Sequence, residues 1–285
     1  MSISLLQDLL NVLTSREQRA RERNGKQAPS TLTQVRDECR RLLASDGEAS
    51  SISLARSVFE LYADLPESQR LAFFRCLRED FGADRKQVDA ALARYRQEGT
   101  EEALQALFEV CEPPRQELLR RLNLAPGGTT ELVRMRTALL ALLREDPDLA
   151  PVDRDFQHLF GSWFNRGFLV LRRIDWHTSA AVLEKLIEYE AVHEIRDWSD
   201  LRRRLDPRDR RCFGFFHPAL GDEPLIFVEV ALTRDIPARI QDILQGGDEL
   251  ESPDDATTAV FFSISNCQKG LRGISFGNFL LKQVV

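Results

Sequence analysis

The sequence predicts a multi-domain protein: an all-α helical bundle followed by a smaller α+β unit. Three features of the pattern predict it. From Ser2 to Phe164 nearly every apolar stretch repeats at helical spacing. From Gly167 onward, short runs rich in β-branched and aromatic residues alternate with amphipathic stretches. Glycine and proline then cut both halves into short elements joined by short turns. The boundary falls near 147–153 or at the turn 165–167, which gives residues 1–165 as a helical, oligomerising scaffold and 166–285 as the α+β unit.

Composition sets the outer limits. A chain of 285 residues has room for two cores. Its 43% apolar and 29% charged residues are the balance of a soluble globular protein. A net charge of −6 argues against a nucleic-acid partner, and no apolar run approaches the ~20 residues of a membrane helix. The N-terminus has no basic start and no small-residue cleavage site, and its early acidic residues argue against a transit peptide. Five scattered cysteines (39, 76, 111, 212 and 267) without a CxxC pair predict reduced thiols in the cytoplasm and no zinc site.

In the first half, Leu5, Leu6, Leu9, Leu10 and Leu13 form one apolar stripe, followed by a polar stretch over 16–30. Helices are then predicted over 33–43, 53–65, 66–81 and 84–97, closed by Gly47, Pro66, Gly82 and Gly99. Thr100, with Glu101 and Glu102 in the first turn, starts the next, and Pro113-Pro114 stop it. Segments 116–122, 130–143 and 153–164 complete the set. About eight short helices with short connections predict antiparallel packing. Arginines at 16, 19, 21, 23, 115, 120 and 121 alternate with Glu17, Glu22 and Glu117, the pattern of a solvated, salt-bridged face.

The second half opens with a strand over 168–174. A helix follows from Thr178 or Ser179, with Val182, Leu183, Leu186 and Ile187 inward, and then a short helix that Pro207 ends. Strands 211–218 and 224–233, separated by a turn at Gly221-Asp222, predict an antiparallel hairpin. A helix over 236–244 and an acidic loop over 245–255 lead to the last thirty residues. Those read as a strand at 257–264 buried on both faces, a polar glycine-bearing turn at 266–273 with exposed N–H groups, and a helix from Ser275 to Val285. Strand, glycine loop and helix N-terminus together make a phosphate cradle, because first-turn N–H groups lack intrahelical partners and the helix dipole adds positive charge.

The spacing Arg272-x-x-Ser275-x-Gly277-x-x-Leu280-Leu281 resembles the pyrophosphate loop of the GNAT acyltransferase fold, with Ser275 where that pattern has its first glycine. HPALGDEPLIFVEVALT (217–233) followed by FFSISNCQKGLRGISFGNFLLKQVV (261–285) resembles malonyl-CoA decarboxylases, a family with a GNAT-like catalytic domain. The resemblance covers roughly the last 120 residues well and the first half loosely. It implies an incomplete GNAT-like acyl-CoA-binding domain. The reaction implied converts malonyl-CoA to acetyl-CoA and carbon dioxide, in fatty-acid metabolism, with no metal or prosthetic group and coenzyme A only as part of the substrate. The implied CoA-binding residues are Arg272, Gly273, Ile274, Ser275, Phe276, Gly277 and Asn278. Arg272 can add a charge-assisted bond of ~1.5–3 kcal/mol, and Gly273 and Gly277 allow close backbone approach.

The family's catalytic serine and histidine lie in segments resembling SxLSPIPGF and NPVxNFH. Neither segment occurs in this sequence, so the catalytic residues are unknown and expected beyond residue 285, in a longer protein. The family also implies dimers or tetramers, here through the helical half. Two other readings stand beside this one: a GNAT-fold acyltransferase acting on an amine, and a non-catalytic CoA-binding oligomerisation protein.

Other residues suggest chemistry less strongly. His217 before Pro218 has no partner acid fixed by spacing, and Asp222 and Glu223 sit in a turn where solvated carboxylates are expected. Trp176 reads as core, His177 as a capping or orienting group, and Cys267 as a small, partly buried residue. The chain has no HExxH, no GxSxG and no carboxylate spacing for a metal. Replacing Gly277 with glutamate should weaken CoA binding sharply, since it sets a carboxylate against phosphate. Calorimetric titration with CoA checks this, and an unchanged affinity in a folded variant removes the loop from the site.

Overall fold

A computed structural model describes residues 30–245, 250, 252–274 and 284 of the chain. The apolar stripe at Leu5–Leu13, the polar stretch up to residue 29 and all but Val284 of the helix expected over 275–285 lie outside these residues.

Eight α-helices precede the sheet among the described residues: α1 (Thr31–Leu43), α2 (Glu48–Ala63), α3 (Glu67–Glu79), α4 (Arg85–Glu98), α5 (Glu101–Cys111), α6 (Pro114–Leu122), α7 (Gly128–Leu142) and α8 (Ala150–Trp163). Local chemistry sets several of their ends. The side chains of Ser30, Asp84 and Thr100 accept first-turn N–H groups at the starts of α1, α4 and α5. Gly99 closes α4 with φ of 61°, and α6 opens on Pro114. Helix α2 starts five residues before the apolar pattern does, on the polar turn Glu48 to Ser51.

Aromatic rings anchor the core. Phe73 and Phe74 meet edge to face, and Phe160 packs against Phe156, Trp163 and Phe164 at 5.6–5.7 Å between centroids. Helices α4 and α5 stand apart as a hairpin: α4 buries no residue, α5 only Ala103, and Phe108 is 65% exposed.

A 3₁₀ turn (Arg166–Phe168) leads from α8 to an antiparallel sheet in the order β1-β2-β3-β4, comprising β1 (Val170–Ile174), β2 (Arg210–Phe216), β3 (Pro224–Thr233) and β4 (Thr258–Asn266). Helices α9 (Ala180–Tyr189) and α10 (Trp198–Leu205) join β1 to β2. The period-2 alternation of the strands divides their side chains between two cores. Ile174, Cys212, Phe216 and Phe227 pack with Val182, Leu186, Leu201 and Leu205 of α9 and α10. Phe215, Ile226, Val228 and Val230 belong to the same cluster as Val35, Phe74, Leu118 and Phe156 of the helices. Strand β3 is therefore apolar almost throughout, since both its faces are covered.

Two expectations are corrected. Strand β4 is not buried on both faces: Ile264 is 41% exposed, because among the described strands β4 pairs only with β3 at the edge of the sheet. The helix expected over 236–244 reduces to α11 (Ile240–Leu244). Pro237 disfavours helical backbone at Ile236, which lies exposed just after a bend at 234–235.

Phe215 is fully buried in the cluster that the sheet shares with the helices. Phe215→Ala should therefore cost about 3–5 kcal/mol, and helices and sheet should still melt together. Coincident urea transitions by far-UV circular dichroism and tryptophan fluorescence check this; separate midpoints in the parent protein would show the two parts to be independent.

Candidate functional site

The chain leaves β4 held against β3. Cys267 N–H donates to the Leu225 carbonyl at 2.9 Å, and the Gln268 side chain donates to the Pro224 carbonyl at 3.1 Å. A 3₁₀ turn (Lys269–Leu271) follows, and the apolar side chains of Leu271 and Ile274 then enter the core shared with the helices. That anchoring leaves Lys269, Arg272 and Gly273 on the surface. Gly273 has φ of 82°, a left-handed conformation that other residues adopt only at a cost of about 1–2 kcal/mol.

The loop can thus present one arginine and a glycine backbone to an anion. Arg272 and Gly273 stand where such a ligand could reach them, whereas the Ile274 side chain points away into the core. Ser275, Phe276, Gly277 and Asn278 lie outside the described residues. The expectation of freely exposed N–H groups needs correction. Those of Leu271, Arg272 and Ile274 are already donated to the carbonyls of Gln268, Lys269 and Leu271, at 2.9, 3.1 and 3.0 Å. Tight 3₁₀ bonding consumes the donors that an open turn would leave free.

Helix α7 supports the loop from behind. A Cβ at Gly270 would stand 2.0 Å from the Val133 carbonyl oxygen, so only glycine allows this approach. The buried Arg136 donates from Nη1 to the Gly270 carbonyl at 2.6 Å and from Nε to Asp153 Oδ1 at 2.8 Å.

On the α9–α10 side of the sheet lies a buried polar cluster that sequence reasoning missed. Glu229 of β3 sits in register with Cys212 on one side and Ser263 on the other. Arg204 Nη1 donates to Glu229 Oε2 at 3.1 Å. Ser263 and Ser265 donate to the Glu190 carboxylate at 2.7–3.2 Å, and that carboxylate also accepts the N–H groups of Val192 and His193. Burial pushes the Glu229 carboxyl up to about 7; Arg204 opposes this and the nearby Glu190 reinforces it. Glu229, Ser263 and Ser265 are polar residues of one parity inside otherwise apolar strands, a signal the sequence did contain.

The other suggestive residues take structural roles. His217 Nε2 donates to the Trp163 carbonyl at 3.1 Å while Nδ1 accepts from Ala219 N–H at 3.2 Å. Both ring nitrogens are occupied by a single neutral tautomer, and burial lowers the pKa. In the turn before α9, Asp175 accepts from His177 N–H; the helix N-cap is Ser179, and the His177 ring is exposed and caps nothing. Trp176 packs edge-on to Trp198 with Arg202 over its ring. Glu223 accepts from the Tyr189 hydroxyl and pairs with Lys185. Burial raises the Cys267 pKa, which keeps the thiol protonated and unreactive. The salt-bridged face expected around Glu117 holds at Arg120 and Arg121, which both pair with it, and is corrected at Arg115, which is buried against Asp155; Arg121 also donates to the Leu42 and Ser45 carbonyls at the end of α1.

Comparison with known proteins adds a second line of observation. The family profile described as malonyl-CoA decarboxylase N-terminal domain matches residues 81–164, and the one described as its C-terminal domain matches residues 167–285. A goose (Anser anser anser) protein named mitochondrial malonyl-CoA decarboxylase is 38% identical over 232 residues, covering 76% of this chain and 46% of its own length. The Mus musculus protein of that name is 37% identical over 239 residues, with 79% and 48% covered. The chain spans about half the length of the curated relatives it matches. Among solved structures, malonyl-CoA decarboxylase from Rhodopseudomonas palustris superposes with a TM-score of 0.85 at 55% identity, over 90% of this chain and 62% of that one. The Cupriavidus metallidurans enzyme gives 0.66 at 35% identity, over 90% and 59%.

The raised Glu229 pKa has a sign that can be measured. Between about 4.5 and about 7 the folded state holds a proton that the unfolded state has lost, so stability falls as pH rises through that window. The urea midpoint should be lower at pH 7.5 than at pH 5, and Glu229→Gln should flatten the difference. An equally steep pH dependence in the variant would assign the effect to other groups.

Proposed function

Because the chain belongs to the malonyl-CoA decarboxylase family, we propose that it works as part of a malonyl-CoA decarboxylase, a carboxy-lyase that releases carbon dioxide from malonyl-CoA and leaves acetyl-CoA. The observation that carries this reading is the turn after β4, where buried Leu271 and Ile274 hold Arg272 and Gly273 at the surface. On this reading the four-stranded sheet is the first part of a GNAT-like domain, and residues 272–278 grip the CoA pyrophosphate.

Breaking the bond to the carboxylate leaves its electron pair on the thioester as an enolate. The site must stabilise that charge and then deliver a proton to carbon. These residues supply binding: Arg272 meets the pyrophosphate charge, and the glycines keep side chains out of its way. No residue here is assigned the proton transfer, since segments resembling SxLSPIPGF and NPVxNFH do not occur in the 285 residues. Coenzyme A enters as part of the substrate. The reading includes self-association through the helical half, supported by the exposed α4–α5 hairpin with Phe108, and a cytoplasmic setting, supported by free Cys39, Cys76, Cys111, Cys212 and Cys267. Among the described residues no helix is long and apolar enough to cross a membrane.

Malonyl-CoA incubated with this chain, and with the full-length gene product as control, should yield acetyl-CoA by mass spectrometry with the full-length protein. Free CoA without acetyl-CoA would point to acyl transfer, and no product from the full-length protein would end the decarboxylase reading.

A further inference from the structure

Arg136 is the largest side chain in the fully buried set, at 1% exposed, and it sits on α7 in the helical half of the chain. A buried guanidinium is costly unless it is paired and hydrogen-bonded, so its partners indicate what it is for. Nε donates to Asp153 of α8, which also accepts from Gln157 at 2.5 Å, and Nη1 donates to the carbonyl of Gly270 in the turn after β4. One planar fork thus ties a carboxylate of the helices to the loop backbone. A lysine, a point charge on a flexible stem, does not hold both directions at once. The approach is reinforced at Gly270, where a Cβ would also stand 2.9 Å from Thr137 Oγ1, and by Leu271 and Ile274 in the helical core.

We infer that Arg136 is a positioning residue for the CoA loop: its grip on the Gly270 carbonyl fixes the turn that sets Gly273 and Arg272 at the surface. This rests on the reading of Arg272 and Gly273 as part of the CoA site. Helix α7 is then part of the binding apparatus, and CoA affinity is coupled to the contact of Arg136 with Gly270.

The test uses the full-length protein with CoA as the probe, and compares the parent with Arg136→Met, Arg136→Lys and Arg115→Met. The last breaks the buried Arg115–Asp155 pair between α6 and α8 and serves as a control for destabilisation alone. Arg136→Met should raise the Kd for CoA and the KM for malonyl-CoA about tenfold or more while kcat changes little, because a misplaced binding loop costs affinity. Arg136→Lys should fall between that variant and the parent. Arg115→Met should lower Tm and leave Kd unchanged. Arg136→Met with parental Kd overturns the inference, as does a rise in Kd that tracks the loss of Tm equally in the Arg115 and Arg136 variants. Should Arg136→Met fail to fold, a parental KM in Arg136→Lys overturns it instead. Failure of the parent itself to bind CoA would bring down the CoA reading, and this inference with it.

Discussion

Backbone laid against backbone, where the turn after β4 meets α7 at Gly270, is the constraint on which the rest of this structure depends. The contact exists only because position 270 lacks a Cβ, and the Gly270 carbonyl then needs a buried donor, which Arg136 provides. From that point the chain must send Leu271 and Ile274 into the helical core, and what remains at the surface is Arg272 with Gly273. The surface loop is shaped by the interior behind it.

The same logic explains the sheet. Strand β3 lies between a core shared with the helices and a core under α9 and α10, so its sequence tolerates almost no polar residue. Glu229 is the exception, and it persists because Arg204 pairs with it, while Ser263 opposite it in β4 binds the neighbouring Glu190. A buried carboxylate held this way ties α10 to the centre of the sheet, and it is severely destabilising to leave unpaired. It also holds the α9–α10 layer in place without contributing any group to the loop.

Much of the fold was legible because it follows from short-range chemistry. The helix start at Thr100, the stop at Gly99 and the runs 211–218 and 224–233 each state their structure within a few residues. The loop was legible as a glycine turn between a strand and a further element, and Gly273 does take the left-handed conformation. Its free N–H groups were misjudged because the difference between an open turn and a 3₁₀ turn is decided by what anchors its side chains.

By itself the sequence determined the order and type of the elements, the hairpin, and the position of the arginine and glycine in the loop, since propensity, capping and period act within a single element. The tertiary structure alone decided that Arg115 and Arg136 are buried, that β4 lies at the sheet edge among the described strands, that His217 is locked between carbonyl and amide, and that Glu190 reaches the serines of β4. The physical reason is distance along the chain: Arg136 and Gly270 are 134 residues apart, and Ser263 and Glu190 are 73. No local pattern records which partner a charge will find once hydrophobic burial has brought remote segments together.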